Sequence, residues 1–199
     1  IEKNNKEGIM STTQPIRSKK SLRKFEDYYR TVKPNIRNDV LITLGLNTAL
    51  RISDILSLTW DMVYDFDNKK WLSHLDLKEM KTGKRTCILL NSEVKRALSA
   101  YGRKTDIQKN SYVFPGRSNS HLSRSQAFRI IKSAANHANL QENISCHSLR
   151  KTFGYHAWKQ GIQPALLMEI YNHSSFQVTK RYLCISQDDK DEVFEKITL

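Results

Sequence analysis

The sequence has few of the residues that hold disulfides, metal ions or nucleotides. Its three cysteines, Cys87, Cys146 and Cys184, form no C-x-x-C pair, so we expect neither a disulfide framework nor a structural zinc site. There is no G-x-x-x-x-G-K-[ST] loop to cradle nucleotide phosphates. No cluster of carboxylates accompanies the candidate residues considered below, which disfavours a two-metal nuclease. We therefore expect a protein that works without a metal ion or another cofactor.

Long apolar runs are lacking as well. No stretch has the length and hydropathy of a transmembrane helix, and no signal peptide is evident. We therefore expect no membrane partner, reduced thiols and a cytoplasmic location. The chain starts at Ile1 rather than at a methionine. We expect either a piece cut from a longer protein or a natural start at Met10 behind a short leader.

Acidic residues are in short supply. The chain has 33 Lys and Arg against 20 Asp and Glu, which gives a formal net charge of +13. Such an excess favours a polyanionic partner, nucleic acid first, although a protein with a solvated basic face would have the same composition. The length of 199 residues fits one domain. We interpret the polar residues 1–17 as a linker or disordered leader and residues 18–199 as the domain.

The apolar pattern predicts a mainly α-helical domain with a small antiparallel β-sheet, an α+β fold. Residues 62–90 are typical of strands and contain a hairpin turn at Lys81-Thr82-Gly83-Lys84. Helices are expected over residues 20–32, over residues 36–49, just after Arg51, over residues 92–102 with Ser92 as N-cap, and from a capping box at Ser123–Gln126 to about His137.

Reactive side chains are concentrated in the last third of the chain. His147 and Arg150 are three residues apart and would share one face of a helix. Gly161 stands where a left-handed residue would close that helix. His173 follows, and Tyr182 comes nine residues later. Arginine and histidine suit an anionic phosphorus centre, and tyrosine can act as an oxygen nucleophile.

This arrangement resembles the signature of the tyrosine recombinases, the phage integrase family. The family's H-x-x-R corresponds to His147-Ser148-Leu149-Arg150, its later histidine box to His173-Ser174-Ser175, and its nucleophile to Tyr182. Several residues at set spacings match together, which a lone H-x-x-R would not achieve. An earlier family box corresponds to Thr48-Ala49-Leu50-Arg51, with Ala49 in place of glycine.

One departure from the family pattern precedes the second histidine. Tyr171-Asn172 stands where Leu-Gly is common. Asparagine tolerates positive φ, so we expect the turn to be kept.

The resemblance implies the catalytic-domain fold of the family and a site-specific recombinase or integrase acting on double-stranded DNA. DNA strands would be cleaved and rejoined through a 3′-phosphotyrosyl intermediate, in the integration or excision of a mobile element. The implied assembly is a homotetramer on synapsed DNA, with a monomer or weak oligomer in its absence. The acidic tail, residues 186–199, would dock on a neighbouring subunit, as in the family, or on its own domain.

The resemblance also implies the role of each site residue. Arg51 and Arg150 would clamp the scissile phosphate, and His173 would add a hydrogen bond. Tyr182 would be the nucleophile and His147 its base. The leaving 5′ oxygen would take a proton from a lysine of the hairpin. The family's usual hairpin motif, K-T-G, matches Lys81-Thr82-Gly83 and so implies that this lysine is Lys81.

Further residues follow from the same resemblance. Lys78 and Lys84 are rivals of Lys81 on the hairpin. Asp54, one helical turn from Arg51, would fix its guanidinium in place. For the basic face of Arg124, Arg129 and Lys132 the resemblance favours phosphate contact over simple solvation, whereas Lys180 and Arg181 could equally be solvated. The expected DNA-binding residues are Lys84, Arg124, Arg129, Lys132, Lys180 and Arg181.

Three other functions fit parts of the pattern. A type IB topoisomerase-like relaxer would share the chemistry but need no partner subunit. A DNA-binding regulator could keep the fold and lose the activity, although all six expected catalytic positions are filled. A basic RNA-binding protein would leave the spacing of His147, Arg150, His173 and Tyr182 unexplained.

Overall fold

The computed structural model describes residues 13–185 and 187–197. The helices in that part of the chain are α1 (Lys19–Asp27), α2 (Ile36–Asn47), α3 (Ile52–Leu56), α4 (Ser92–Gly102), α5 (Arg124–His137), α6 (Cys146–Lys159), α7 (Pro164–Ile170), α8 (Phe176–Leu183) and α9 (Gln187–Lys196). A π-helical turn follows α1, and a 3₁₀ turn precedes the strands.

Two antiparallel strand pairs lie between α3 and α4. Strand β1 (Tyr64–Asp65) pairs with β2 (Lys70–Trp71), and β3 (His74–Lys78) pairs with β4 (Arg85–Leu89). The second pair is the predicted hairpin, with residues 81–84 in its turn. The predicted fold, mainly α with a small antiparallel sheet, is confirmed.

Side-chain caps explain where several helices begin. Ser123 and Gln126 form the predicted capping box at the start of α5, with hydrogen bonds of 3.2 and 3.1 Å in the two directions. For α4 the prediction was one residue late. Asn91, not Ser92, is the N-cap, because its side-chain oxygen accepts from the amide of Val94 at 2.9 Å.

The core is organised around α2, which is buried on nearly every face and packs against α4 and α6. Gly45 on α2 permits the close approach of α6, since a Cβ there would overlap the side chain of Leu149. A second, smaller apolar cluster includes Leu167, Tyr171 and Leu183 and joins α7 and α8 to α6. Helix α6 therefore belongs to both clusters and fixes its own catalytic candidates relative to α8. None of the described helices is long and apolar enough to cross a membrane.

The folded domain begins earlier than the sequence predicts. Ile16 is fully buried in the main core, and its amide donates to the Thr152 hydroxyl at 2.9 Å. Residues 13–17 therefore differ from the linker expected there. One apolar residue among polar neighbours gives no periodic pattern, so this burial depends on distant partners. Residues 1–12 of the predicted leader lie outside the described residues.

Helix α9 packs on α6 of its own chain through its acidic side. Asp189 accepts from the Tyr155 hydroxyl and the Lys159 ammonium, each at 3.3 Å. The apolar residues Val193 and Phe194 remain exposed, Phe194 to 78%. Docking of α9 on its own domain thus uses charged side chains and leaves Val193 and Phe194 uncovered. Residues 186, 198 and 199 of the tail lie outside the described residues.

We predict that Ile16→Ala lowers the free energy of unfolding by about 2–4 kcal/mol, because it removes a fully buried side chain and leaves a cavity. Urea denaturation followed by circular dichroism would measure it. The matched control is Ile162→Ala, at a position 39% exposed, with an expected loss below about 1 kcal/mol. Equal effects of the two substitutions would contradict the burial of residue 16.

Candidate active site

Arg150 is a deeply buried charge of the site, with 1% of its surface exposed. Its guanidinium donates to the carbonyl of Ala49 and, at 2.8 Å, to the carbonyl of Tyr171. The Tyr171 hydroxyl donates back to the Arg150 carbonyl at 2.8 Å, and the guanidinium carbon lies 4.6 Å from the centre of the Tyr171 ring. Arg150 thereby ties α6 to the segments before Arg51 and before His173.

The phenol of Tyr182 lies among the other candidates. Its hydroxyl is hydrogen-bonded to Nε2 of His147. The ring centres of His173 and Tyr182 are 4.7 Å apart, and the guanidinium carbon of Arg150 lies 5.9 Å from the Tyr182 ring. Nδ1 of His173 is 3.0 Å from the buried Thr179 hydroxyl, which fixes the orientation of that imidazole. The structure thus brings together the four residues that the sequence spacing singled out.

The partner of Arg51 is Glu79, at the end of the β3–β4 hairpin. Arg51 Nη1 lies 2.6 Å from Glu79 Oε2, and Thr82 donates to the same oxygen at 2.6 Å. The prediction gave this place to Asp54, and the structure corrects it. Asp54 is turned toward the hairpin, where one carboxylate oxygen accepts from the amide of Met80 at 2.9 Å. Both carboxylates therefore anchor the hairpin beside Arg51.

An open cleft of about 510 Å³ lies in front of these residues. Its wall includes Lys81 from the hairpin turn, Arg124 from the start of α5, and Arg51 and His147. Lys81 is exposed, and the anchoring of Glu79 keeps the hairpin turn at the cleft. The neighbouring candidate Lys84 is exposed on the same turn but is not among the residues that line the cleft.

Two non-glycine residues with positive φ shape the backbone here. Asn172 has φ 53°, as predicted from its tolerance of the left-handed region. Ala49 has φ 55°, which explains why glycine suits this position, and its carbonyl points to Arg150. The hydrogen bond from the buried guanidinium of Arg150 to the Ala49 carbonyl thus helps to maintain the left-handed conformation at Ala49.

Both histidines are held in their neutral forms. Partial burial of the ring lowers the pKa of His147 to about 4, together with the charges of Lys151, Arg150, Arg51 and Lys81. Burial and the charges of Arg150 and Arg51 likewise lower the pKa of His173 to about 4. Near neutral pH, His147 can therefore accept a proton from its hydrogen-bonded partner.

The phenol of Tyr182 needs help to ionise. Burial raises its pKa above the usual value, while Arg150 and Arg51 act in the opposite direction. Burial also raises the pKa of Glu79, but hydrogen bonds from Thr82 and Arg51 outweigh it and hold that pKa below its usual value. Glu79 therefore stays ionised and balances part of the positive charge of the cleft.

The predicted DNA-binding residues are arranged unevenly. Arg124 and Arg129 line a shallow depression with exposed Phe128 beside His147. Lys132 is partly buried on the same helix, while Lys180 and Arg181 are exposed on α8, beside Tyr182. These placements are compatible with phosphate contact, and a DNA-binding role for each residue stays a prediction.

Sequence reasoning missed three residues of the site. Glu79 comes from a hairpin, so no helical spacing links it to Arg51. Tyr171 was noted only as a departure, yet its hydroxyl and ring hold Arg150. Lys151 is 9% exposed, with its ammonium 5.7 Å from the centre of the Tyr182 ring. The sequence held no signal for Lys151, because its neighbour Arg150 lies on the same helix but adjacent residues of a helix point in different directions.

Comparisons with known proteins agree with this geometry. Residues 18–188 match the model of the phage integrase family. The chain belongs to this family, the tyrosine recombinases. It is also 40% identical, over 180 residues, to the probable integrase/recombinase YoeC of Bacillus subtilis strain 168, covering 90% of this chain and 93% of that protein. Site-specific recombination is the activity of the class to which this recombinase belongs.

Solved structures share the fold of the recombinase. XerA recombinase superimposes with a TM-score of 0.75 at 19% identity, over 94% of this chain and 68% of that one. XerH, a site-specific recombinase solved with its palindromic difH substrate after cleavage, gives 0.70 at 20% identity, over 89% of this chain. The chain spans 50% of the length of that XerH chain.

We predict that Glu79→Gln lowers the free energy of unfolding by about 2–4 kcal/mol, because it leaves Arg51 without its counter-charge in a mostly buried place. The side chains of the pair are 2% and 15% exposed. Glu93→Gln is the matched control, since its pair with Arg96 is 49% and 69% exposed and should contribute less than about 1 kcal/mol. Chemical denaturation of both variants measures the difference, and similar losses would contradict the role of Glu79.

We also predict that His147 titrates with a pKa of about 4 in the free protein. Lys151→Met should raise this pKa, because it removes the positive charge that acts most strongly on the ring. Adding a short DNA duplex should raise it too, through the negative phosphates. NMR titration of the imidazole protons reports all three values. An ordinary pKa near 6.5 in the free protein would count against the arrangement.

Proposed function

We propose that this recombinase cleaves and rejoins double-stranded DNA through a 3′-phosphotyrosyl intermediate on Tyr182, in the integration or excision of a mobile element. The observation that carries the proposal is the hydrogen bond between the Tyr182 hydroxyl and Nε2 of His147, within a cluster of cations. A nucleophile bonded to a neutral base beside guanidiniums suits attack on a phosphodiester.

Binding of the scissile phosphate falls to the two arginines and His173. Arg150 keeps Nε without a partner among the described residues, although its other nitrogens are bonded to carbonyls. Arg51 is held by Glu79 at the wall of the cleft. The Thr179 hydroxyl occupies Nδ1 of His173, so Nε2 is the ring nitrogen left to donate to a phosphate oxygen in the tautomer that the proposal requires. These donors match the charge that spreads over the non-bridging oxygens.

The proton and bond changes balance without an external energy source. Tyr182 Oη forms a bond to phosphorus while the bond from phosphorus to the 5′ oxygen breaks. The phenolic proton passes to His147, and Lys81 supplies a proton to the leaving oxygen. The phosphotyrosyl ester replaces the phosphodiester, so rejoining is the same step in reverse and needs no nucleotide.

DNA binding would tune the base for this step. Without DNA, four neighbouring cations help to lower the pKa of His147 to about 4, which makes it a weak base. The phosphate brings negative charge to the same place and raises the pKa toward neutrality. The full basicity of His147 would then be reached only with substrate in the cleft.

We further propose a homotetramer on synapsed DNA, formed from chains that are monomers or weak oligomers when free. The exposed apolar residues Val193 and Phe194 of α9 and Ile197 directly after it support this, because they remain uncovered while the acidic side of the helix binds its own domain. A neighbouring subunit would bury them at the gain expected for apolar surface.

Covalent capture tests the proposed function. The full chain is incubated with labelled, nicked duplexes taken from the DNA that flanks its own gene. A denaturing gel should show a protein–DNA adduct in the wild type and none in Tyr182→Phe, because the phenylalanine has no hydroxyl. Tyr112→Phe is the matched control at a tyrosine outside the cleft and should form the adduct normally.

Other outcomes would favour the alternative functions. Clear DNA binding without an adduct in the wild type would identify a DNA-binding regulator that no longer cuts. An adduct with relaxation of supercoiled DNA, but without pairing of two sites, would identify a topoisomerase-like relaxer. An unchanged adduct in Tyr182→Phe would exclude Tyr182 as nucleophile.

A further inference from the structure

Tyr182 lies in the last turn of α8, where the backbone has fewer hydrogen bonds within the helix than at its centre. The helix ends at Leu183, and the final carbonyls of a helix have no partners within it. Cys184 follows with φ 51°, the left-handed conformation that ends the helix. Buried Leu183 anchors one side of this turn. The position of the phenol therefore depends on what else holds the turn, because unsupported helix ends open easily.

Two cations hold Cys184, the residue that follows α8 and caps it. Arg17 donates from Nη2 to the carbonyl of Cys184 at 2.6 Å. Lys151 donates to the Cys184 sulfur at 3.4 Å, and its ammonium lies 5.7 Å from the centre of the Tyr182 ring. Positive charge at a helix C-terminus also complements the helix dipole. Cys184 is thus held by hydrogen bonds to both its backbone and its side chain, directly after the helix that carries the nucleophile.

Both cations belong to, or are bonded to, the segment Thr13–Arg17. Lys151 also donates to the carbonyl of Thr13 at 2.6 Å. The segment itself is fixed on α6, since the Ile16 amide donates to Thr152 at 2.9 Å and the Ile16 carbonyl accepts from His156 Nε2 at 2.9 Å. The segment therefore extends from the helix that bears His147 and Arg150 to the end of the helix that bears Tyr182.

We propose that the segment Thr13–Arg17, acting with Lys151, is a positioning element for the nucleophile. It fixes the end of α8 against α6, so that the Tyr182 hydroxyl stays on the His147 imidazole. Arg17 is its key residue and acts through Cys184 without touching the reacting atoms. The proposal rests on the proposed function of Tyr182, and it adds that residues far from the family signature set the rate of cleavage.

Hydrogen exchange tests the physical contact independently of any reaction. Amides of residues 178–185 should exchange about tenfold faster in Arg17→Ala than in the wild type, since the last turn of α8 loses a hydrogen bond at its end. Arg17→Lys should exchange at an intermediate rate. Arg96→Ala is the matched control, an arginine of an exposed pair on α4, and should leave these amides unchanged. Unchanged exchange in Arg17→Ala would overturn the proposal.

Adduct formation on the nicked duplex tests the consequence for chemistry. At saturating DNA, the rate should fall about tenfold in Arg17→Ala, recover in part in Arg17→Lys, and stay normal in Arg96→Ala. DNA affinity, measured by gel shift, should change less than about threefold, because a positioning residue affects the reacting geometry more than binding.

The hydrogen-exchange and cleavage measurements together distinguish a failure of the positioning proposal from a failure of the proposed function. A normal cleavage rate in Arg17→Ala, with an active wild type, would overturn the positioning role. An inactive wild type would refute the proposed function instead, and the exchange arm would still decide whether Arg17 holds α8. Circular dichroism confirms that each variant is folded, and Arg17→Lys keeps the test valid should Arg17→Ala fail to fold.

Discussion

A buried guanidinium cannot stay without acceptors, and this requirement organises the site. Arg150 satisfies it with two backbone carbonyls from segments far apart in the chain, those of Ala49 and Tyr171. Because each carbonyl must stay in place, the backbone entering Arg51 and the backbone entering His173 are fixed to α6. Three stretches that the sequence separates by up to 122 positions, Ala49 to Tyr171, are thereby joined at one side chain.

The charge of the site is balanced only in part. Arg51, Arg150, Lys81 and Lys151 act on the same imidazole, and Glu79 is the carboxylate that pairs with one of them. Bringing like charges together costs free energy that the folded protein must supply from its apolar core. A polyanion in the cleft would relieve that repulsion. Binding of a polyanion and protein stability would consequently be linked, because a ligand that relieves the repulsion binds the folded state better than the unfolded one.

The sequence predicted what local patterns can carry. Helical spacing placed His147 and Arg150 on α6, and the tolerance of asparagine for positive φ predicted the turn at Asn172. Contacts between distant segments could not be predicted from such local patterns. Glu79 took the place expected for Asp54 because a hairpin brings it to Arg51, and Ile16 is buried through bonds to residues more than 100 positions away. Such partners follow from the tertiary fold and leave no periodic trace in the chain.

Gly154 and Tyr171 are coupled by their shapes. A Cβ at position 154 would overlap the Tyr171 hydroxyl, so the bare backbone of α6 makes room for this large ring under the guanidinium of Arg150. An alanine at 154 would displace the tyrosine, and a smaller residue at 171 would leave a void beneath the arginine. The space under Arg150 can therefore hold an aromatic ring only while residue 154 carries no side chain, so the glycine sets the size limit of its neighbour.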